Sequence, residues 1–507
     1  MSDGAATSPN DGLDGFEPVI GLEIHVQLST ATKMFCSCPL SFGEPPNTYT
    51  CPVYLGLPGS LPVVNARAIH FGLMIGLALE CELAPRSSFH RKNYFYPDLP
   101  KGYQISQYDE PLCRGGRLGE VRIHRAHLEE DAAKLVHVGT SGRIHGSDVS
   151  VVDFNRGGTP LVEIVTEPDL HDPVRAREWL ELLRTTLRQL GVSDVNMEEG
   201  SLRCDANVSI RLGGSVALGT KTELKNMNSF RFLERGIRAE LARQAELLRA
   251  GEPVVQETLH FDPQTGKLSA LRSKEEAHDY RYFPEPDLVP IQIDEDMVAA
   301  ARAQLPELPA ARVERYESEF GLTAASARHL AFRVELGAYF EAALAELARA
   351  GDGHGGVDAA PVQIDPAVAQ QLANWISGEL VRRLGEEDPA DSRVAPAQLA
   401  RLVALISQRA ITAGAGRQVL DRMVQQGGDP EGIVETEGLG AIASGDEALA
   451  GVVAAAIEAH QGAAEKIKAG NAKAMGPIIG YVMRETKGRA DGAEVSRLVR
   501  AQLGLEN

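Results

Sequence analysis

The chain predicts an α+β protein. A strand-rich domain with inserted helices spans residues 17–293. An all-α helical domain follows over 294–405, and a small all-α tail over 406–507, with residues 1–16 as a leader. Three observations carry this. Two well-separated segments alternate apolar and polar residues with period two, the signature of strands with one buried face. A segment between them repeats every three to four residues behind an N-cap signal. After DLVPIQID (Asp287 to Asp294) the composition turns to Ala, Leu, Glu and Arg at helical spacing and stays so to the end. At 507 residues the chain exceeds what one hydrophobic core can serve.

The first strand is VIGLEIHVQL (Val19 to Leu28). Ile20, Leu22, Ile24, Val26 and Leu28 share one face, and Glu23, His25 and Gln27 the other. Ser201 to Arg211 repeats the design, with Leu202, Cys204, Ala206, Val208 and Ile210 opposite Arg203, Asp205, Asn207, Ser209 and Arg211. Between them Asp172 is placed to cap a helix and Pro173 suits its first turn. Leu180, Leu183, Leu187 and Leu190 form the apolar stripe before Gly191. A further helix is expected from near Asn228 to Gly251. Gly- and Pro-rich breaks near Gly351 to Pro366 and Gly427 to Gly432 interrupt the helical part, whose two domains are expected to part near residues 395 to 410.

Several function classes are excluded or disfavoured. A net charge of −19 argues against broad, sequence-blind nucleic-acid binding, which needs many cations, but leaves room for a local basic patch. No apolar run approaches the roughly 20 residues that cross a bilayer. The opening MSDGAATSPNDGLDG has neither the basic nor the apolar segment of a signal peptide, so a cytoplasmic protein is expected. There is no GxxxxGK[ST] loop and no nucleophile-elbow serine. Gly351, Gly353 and Gly356 fit GxGxxG but follow an Ala-rich helical stretch, where a linker is the natural reading.

The chemical signal is the polar face of the strands. Glu23 and His25 project side by side, and further acids stand in HLEED (His127 to Asp131) and PLVEIVTEPD (Pro160 to Asp169). A solvated outer sheet face is the ordinary alternative. If Glu23, Glu130, Glu163 and Asp205 converge, pairs at about 4 Å repel by roughly 1 to 4 kcal/mol and need a counter-ion. Oxygen ligands with one imidazole suit Mg²⁺ or Mn²⁺, the cations of nucleotide-handling sites. A second constellation, HRKNYFYPDLPKGYQISQ (His90 to Gln107), joins Arg91, Lys92 and Lys101 with Tyr94, Tyr96 and Tyr103. Cations there can meet phosphate and rings can stack on a base, or the aromatics can be core. Gln104 in the same stretch, Arg156 beside two glycines in NRGGTPL, and Arg203 are further candidates for ATP, phosphate or substrate. Cys36, Cys38 and Cys51 offer three thiols, but Tyr54 stands where the fourth zinc ligand would be, so zinc is not expected.

Taken together, VIGLEIHVQL, LPGSLPVVN, RKNYFYPDLPKGYQISQ, HLEEDAAK, GTPLVEIVTEPD, GVSDVNMEEGSLRCDANVS, TELKNMNSF and DYRYFPEPDLVP resemble the B subunit of the aspartyl/glutamyl-tRNA amidotransferase family. NWISGEL (Asn374 to Leu380) and GNAKAMGPIIGYVMRETKGRAD (Gly470 to Asp491) look like its helical and tail domains. The resemblance implies a cradle, a helical domain and a tail. It implies conversion of Glu-tRNA(Gln) or Asp-tRNA(Asn) to the amide form, with ATP activating the side-chain carboxylate. A glutaminase-type A subunit and a small C subunit would be the partners. His25, Glu130 and Glu163 carry over as catalytic residues and metal ligands with Glu23 beside them; Asp205 is added from its strand face. A carboxylate–amine ligase acting alone on a small acid, and a non-catalytic tRNA-binding scaffold, are the competing readings. The resemblance also implies that the tail meets tRNA through Lys466, Lys468, Lys473, Lys487 and Arg489. From Gln461 to Arg500 eight basic residues face four acidic ones, a net of 8 − 4 = +4.

Overall fold

The computed structural model describes residues 13, 15–40, 43–138, 149–225, 227–270, 280–351, 364–385, 387–442, 447–486 and 488–505. Nearly all of the expected leader, Gly353, Gly356 and Lys487 lie outside them. The chain forms two compact units that meet in sequence at Leu308 and Pro309.

In the first unit the central strands are β1 (Phe16–Gln27), β2 (Val121–Glu130), β3 (Pro160–Thr166), β4 (Leu202–Leu212) and β5 (Thr222–Lys225). They lie in the order β5-β4-β1-β3-β2, all neighbours antiparallel, within a ten-stranded sheet. Both strands expected from period-two alternation are present, each displaced by only a few residues. Ile20, Leu22, Ile24 and Val26 face a core with Val162, Ile164, Leu202, Cys204, Ala206 and Leu224. Three helices pack much of their apolar surface into that core: α1 (Ala66–Ala78), α2 (Pro173–Gln189) and α3 (Phe230–Arg249).

Helix α2 forms as its sequence dictates. The Asp172 carboxylate accepts the Val174 and Arg175 N–H groups at 2.6 and 3.2 Å, and Leu180, Leu183 and Leu187 are fully buried. Gly191 follows with φ of +67°, the left-handed conformation that ends a helix without a Cβ clash. The hydroxyl of Ser229 caps α3 by accepting the Phe232 N–H.

Strand β2 holds an irregularity that decides the site. Val165 pairs with Arg125, but the next residue, Thr166, pairs with Ile123. His124 is the extra residue of a β-bulge, and a bulge reverses which face later side chains occupy. Val121 and Ile123 before it and Ala126 and Leu128 after it all point into the core.

The helix Glu295–Ala303 lies beyond the expected end of the strand-rich domain at 293 but belongs to its core. Ala301 is fully buried there, with Met297, Leu305 and Leu308 packed alongside. The second unit contains two helical cores. One runs from Tyr316 to Leu439 and the other from Leu449 to Val499. The expected division near 395 to 410 instead falls within the first of these. The helix Pro396–Ser407 buries Leu399, Leu402, Val403 and Ile406 in the core that Val334–Gly351 also lines. Composition marks helices but not which core they join. The Gly427 break is real: both Gly427 and Gly428 have positive φ, and a new helix starts at Pro430.

Candidate active site

With the apolar face of β1 to β5 buried, the opposite face presents polar residues in register. Lys225 on β5, Arg203 and Asp205 on β4, Glu23 and His25 on β1, Glu163 on β3, and Arg125, His127 and Glu129 on β2 form it. His25 pairs with Arg203 on one side and Glu163 on the other, and Glu163 pairs with His127. The His25 Nε2 stands 3.5 Å from Glu163 Oε2, 3.7 Å from Glu23 Oε1 and 3.9 Å from Glu129 Oε1. His127 Nε2 lies 3.6 Å from Glu163 and 3.7 Å from Glu129. Asp205 is held by the Lys225 ammonium at 2.9 Å.

Two overlapping triads bring ligand atoms within 4.8 Å of one another: Glu23, His25 and Asp205, and His25, Glu129 and Glu163. Four of the five expected cation ligands thus meet. Glu130 does not. The alternation begun by Val121 and Ile123 puts Glu130 on the polar face, but the bulge at His124 hands that place to Glu129. Glu130 instead accepts hydrogen bonds from the Lys101 ammonium and, at 3.0 Å, from the Ile105 N–H. It lines a cavity of about 200 Å³ with Lys33, Cys36, Tyr54, Lys101 and Tyr103.

The electrostatics of the cluster follow from burial and neighbours. Burial opposes a charged His25, but the hydrogen bond and charge of Glu163 and the charge of Glu129 outweigh it and raise the imidazole to about 9. Burial likewise opposes the charge of Glu163, yet His127, His25 and Lys92 hold its carboxyl well below the usual carboxylate range. Glu129 is also lowered: burial is overcome by the adjacent His127 imidazole and by the charge of Lys92. Glu23 is raised, by burial and then by the charge of Glu163. Two ionised acids and a third under repulsion make a site that a cation would relieve.

The other candidates divide. Lys92 is half-buried with its Nζ 5.0 Å from the Tyr280 ring centre; burial is outweighed by Glu129, and its ammonium stays above the ordinary lysine range. Tyr94 packs edge-on to Tyr280 at 6.1 Å. Tyr96 is exposed. Arg203 reaches the buried Asp131 at 2.8 Å while its Nε has no hydrogen-bond partner. Three residues are committed elsewhere. Arg91 donates Nε and Nη2 to both oxygens of Glu285 at 2.6 and 2.7 Å, so that edge of its guanidinium is taken. Gln104 donates to the Glu130 carbonyl at 2.8 Å. Arg156 donates to the carbonyls of Ala132 and Ala133 at 2.9 Å. Its neighbours Gly157 and Gly158 make room for the Tyr54 ring: a Cβ at Gly157 would lie 1.6 Å from the Tyr54 hydroxyl. They form no anion nest. Cys36, Cys38 and Cys51 do bring their sulfurs within 4.8 Å of one another, and the Tyr54 N–H donates to Cys51 Sγ at 3.5 Å. In the tail Lys466, Lys468 and Lys473 are exposed, and Arg489 donates Nε to the Thr486 carbonyl at 3.1 Å.

Sequence reasoning missed Glu129, His127 and Arg125 on β2. The apolar phase change, Val121 and Ile123 then Ala126 and Leu128, is the signal in the sequence that marks the bulge and would have found them.

Comparison with known proteins agrees along nearly the whole chain. The family model described as GatB/GatE catalytic domain matches residues 18–299, which hold the entire polar sheet face. The chain belongs to this family. A second model, described as GatB domain, matches residues 362–503. Among the relatives, the B subunit of the aspartyl/glutamyl-tRNA(Asn/Gln) amidotransferase from Anaeromyxobacter sp. (strain K) is 47% identical over 97% of this chain and 99% of its own length. The counterpart from Frankia casuarinae is 48% identical over 99% and 98%, and that from Myxococcus xanthus 46% over 96% and 99%. Every residue of the cluster, from Glu23 to Lys225, lies within the span matched by the GatB/GatE catalytic-domain model.

Proposed function

We propose that the chain is the carboxylate-activating subunit of a tRNA-dependent amidotransferase, forming Gln-tRNA(Gln) or Asn-tRNA(Asn) from the misacylated acid. The relatives carry that activity in their name. The observation that carries the mechanism is His25 set among Glu23, Glu129 and Glu163 at 3.5 to 3.9 Å on one sheet face.

A free carboxylate is inert to ammonia because oxide would have to leave. In the proposed first step an oxygen of the substrate carboxylate bonds to the γ-phosphorus of ATP. The bond from that phosphorus to the bridging oxygen breaks, and its electrons leave with ADP. Ammonia nitrogen then bonds to the acyl carbon, the carbon–oxygen bond to phosphate breaks with its electrons leaving on phosphate, and the nitrogen loses one proton to give the amide. One imidazole with several carboxylates, two of them held ionised, fits Mg²⁺ or Mn²⁺, with His25, Glu129 and Glu163 as holders and Glu23 and Asp205 beside them. When bound, such a cation supplies neutralisation of the transferring phosphoryl group. Lys92 and Arg203 add positive charge at the same face, where fixed charges act in a partly dry site.

The sequence contains no nucleophile-elbow serine. A glutaminase-type A subunit would therefore release the ammonia, with a small C subunit completing the complex. The exposed Lys466, Lys468 and Lys473 of a segment with net charge +4 support tRNA contact by the tail. No helix among the described residues is long and apolar enough to cross a membrane, and the reading places the complex in the cytoplasm. The test is ADP formation by the assembled complex on adding Glu-tRNA(Gln) or Asp-tRNA(Asn). His25→Ala should lower it at least about a hundredfold with the fold intact. Undiminished ADP formation in that variant would leave only a scaffold role.

A further inference from the structure

Arg125 is the cation of the polar face that neither phosphate nor protein fully engages. It precedes His127 by two residues on β2 and pairs with Val165, so it follows the bulge onto the site face. Its side chain is 32% exposed, and its Nη2 stands 3.7 Å from Glu163 Oε1, beyond hydrogen-bond length. Its Nε is buried with no hydrogen-bond partner. Two other arginines of the unit have this edge filled, while Arg203, its Nε likewise without a hydrogen-bond partner, is held through Nη2 by Asp131 at 2.8 Å. Arg91 closes Nε and Nη2 on both oxygens of Glu285 at 2.6 and 2.7 Å, and Arg122 closes them on both oxygens of Asp169 at 2.9 and 2.7 Å. A buried donor without an acceptor is a cost that a folded protein keeps when a ligand removes it.

We infer that Arg125 binds the side-chain carboxylate of the aminoacyl group through its guanidinium, which the neighbouring Glu163 approaches only to 3.7 Å. The inference rests on the reading of this site as carboxylate-activating. The shape of the charge selects the ligand: the guanidinium fork is planar and matches a planar carboxylate, whereas the Lys92 ammonium is a point charge suited to a phosphoryl oxygen. Placed beside Glu163 and His25, the bound carboxylate lies next to the groups proposed to hold the cation. The same guanidinium discriminates substrate from product, because a carboxamide presents one N–H₂ to a donor that needs an acceptor.

The test uses the assembled complex and one tRNA carrying either glutamate or glutamine. The wild type should bind Glu-tRNA(Gln) in preference to Gln-tRNA(Gln). Arg125→Ala and the uncharged Arg125→Gln should each lose about tenfold of that preference. Their affinity for uncharged tRNA and for ATP should stay unchanged, and Arg125→Lys should restore part of the preference. Retained preference in both variants overturns the inference, as does a loss of ATP affinity with the preference kept, which would put Arg125 on the phosphates. Uncharged-tRNA binding shows that each variant is folded. A wild-type complex that makes no ADP with Glu-tRNA(Gln) defeats the carboxylate-activating reading itself; wild-type ADP formation with unaltered variant preference defeats this inference alone.

Discussion

The two units of the chain use burial in opposite ways. Among the described residues, the buried polar and charged side chains lie in the first unit with one exception, Thr486. Glu129, Glu130, Asp131 and Glu163 are all nearly inaccessible, and the ammonium-bearing Lys33 is buried in the same unit. The second unit buries Leu, Val, Ala and aromatic groups and leaves its ion pairs, such as Arg383 with Asp421 and Arg497 with Glu494, at the surface. Taking a charge out of water is costly unless partners compensate. The helical unit avoids that cost and derives stability from apolar area. The sheet unit accepts it on one face, where the charges are matched in register across four strands, and that face is where the chemistry is proposed.

Four substitutions put this contrast to the test. The largest effect is expected at Glu130→Gln. Lys101 would keep a buried ammonium without its carboxylate, costing about 3 to 5 kcal/mol of stability by denaturant unfolding. Mn²⁺ binding should survive, and its loss would return Glu130 to the cation site. Leu402→Ala in the helical unit should cost about 2 to 5 kcal/mol through a cavity, with the site untouched. A fall in cation affinity there would end the separation of roles between the units. Glu129→Gln should differ from Glu130→Gln in weakening Mn²⁺ binding, by about 10- to 100-fold. Equal effects of the two neighbours would mean that the bulge does not sort them.

The smallest effect concerns Glu379 in the helical unit, whose carboxyl is held down to about 2 by hydrogen bonds from Arg417 and then Arg383. A depressed carboxylate contributes stability above its unfolded value of about 4.3 and loses it as pH falls toward the folded value. Solvent screening keeps this below roughly 1 kcal/mol. The melting difference between wild type and Glu379→Gln should be constant from neutral pH to about 5 and vanish near 2. A difference that grows with acid would reverse the sign.

Much of the frame was legible in the sequence. The alternation of Val19 to Leu28, the capped helix between Asp172 and Gly191, and the facing of Glu23, His25 and Asp205 away from the core all follow from local periodicity. Other features depend on partners distant in sequence. Arg91 reads as a phosphate ligand until Glu285, 194 residues later, fills its fork. The glycines of NRGGTPL read as an anion nest until the Tyr54 ring occupies their space. The three cysteines read as an incomplete ligand set, and the fold draws their sulfurs together all the same.

Residue order alone was thus enough for the classes of secondary structure, the polar face and the acids and imidazole on it, because periodicity acts over a few residues and side chains follow the backbone they sit on. Which acid joins His25 was left to long-range pairing. A single extra residue at His124 inverts the facing of every later side chain on that strand; the apolar phase change from Ile123 to Ala126 hints at it, and pairing with β3 fixes where it falls.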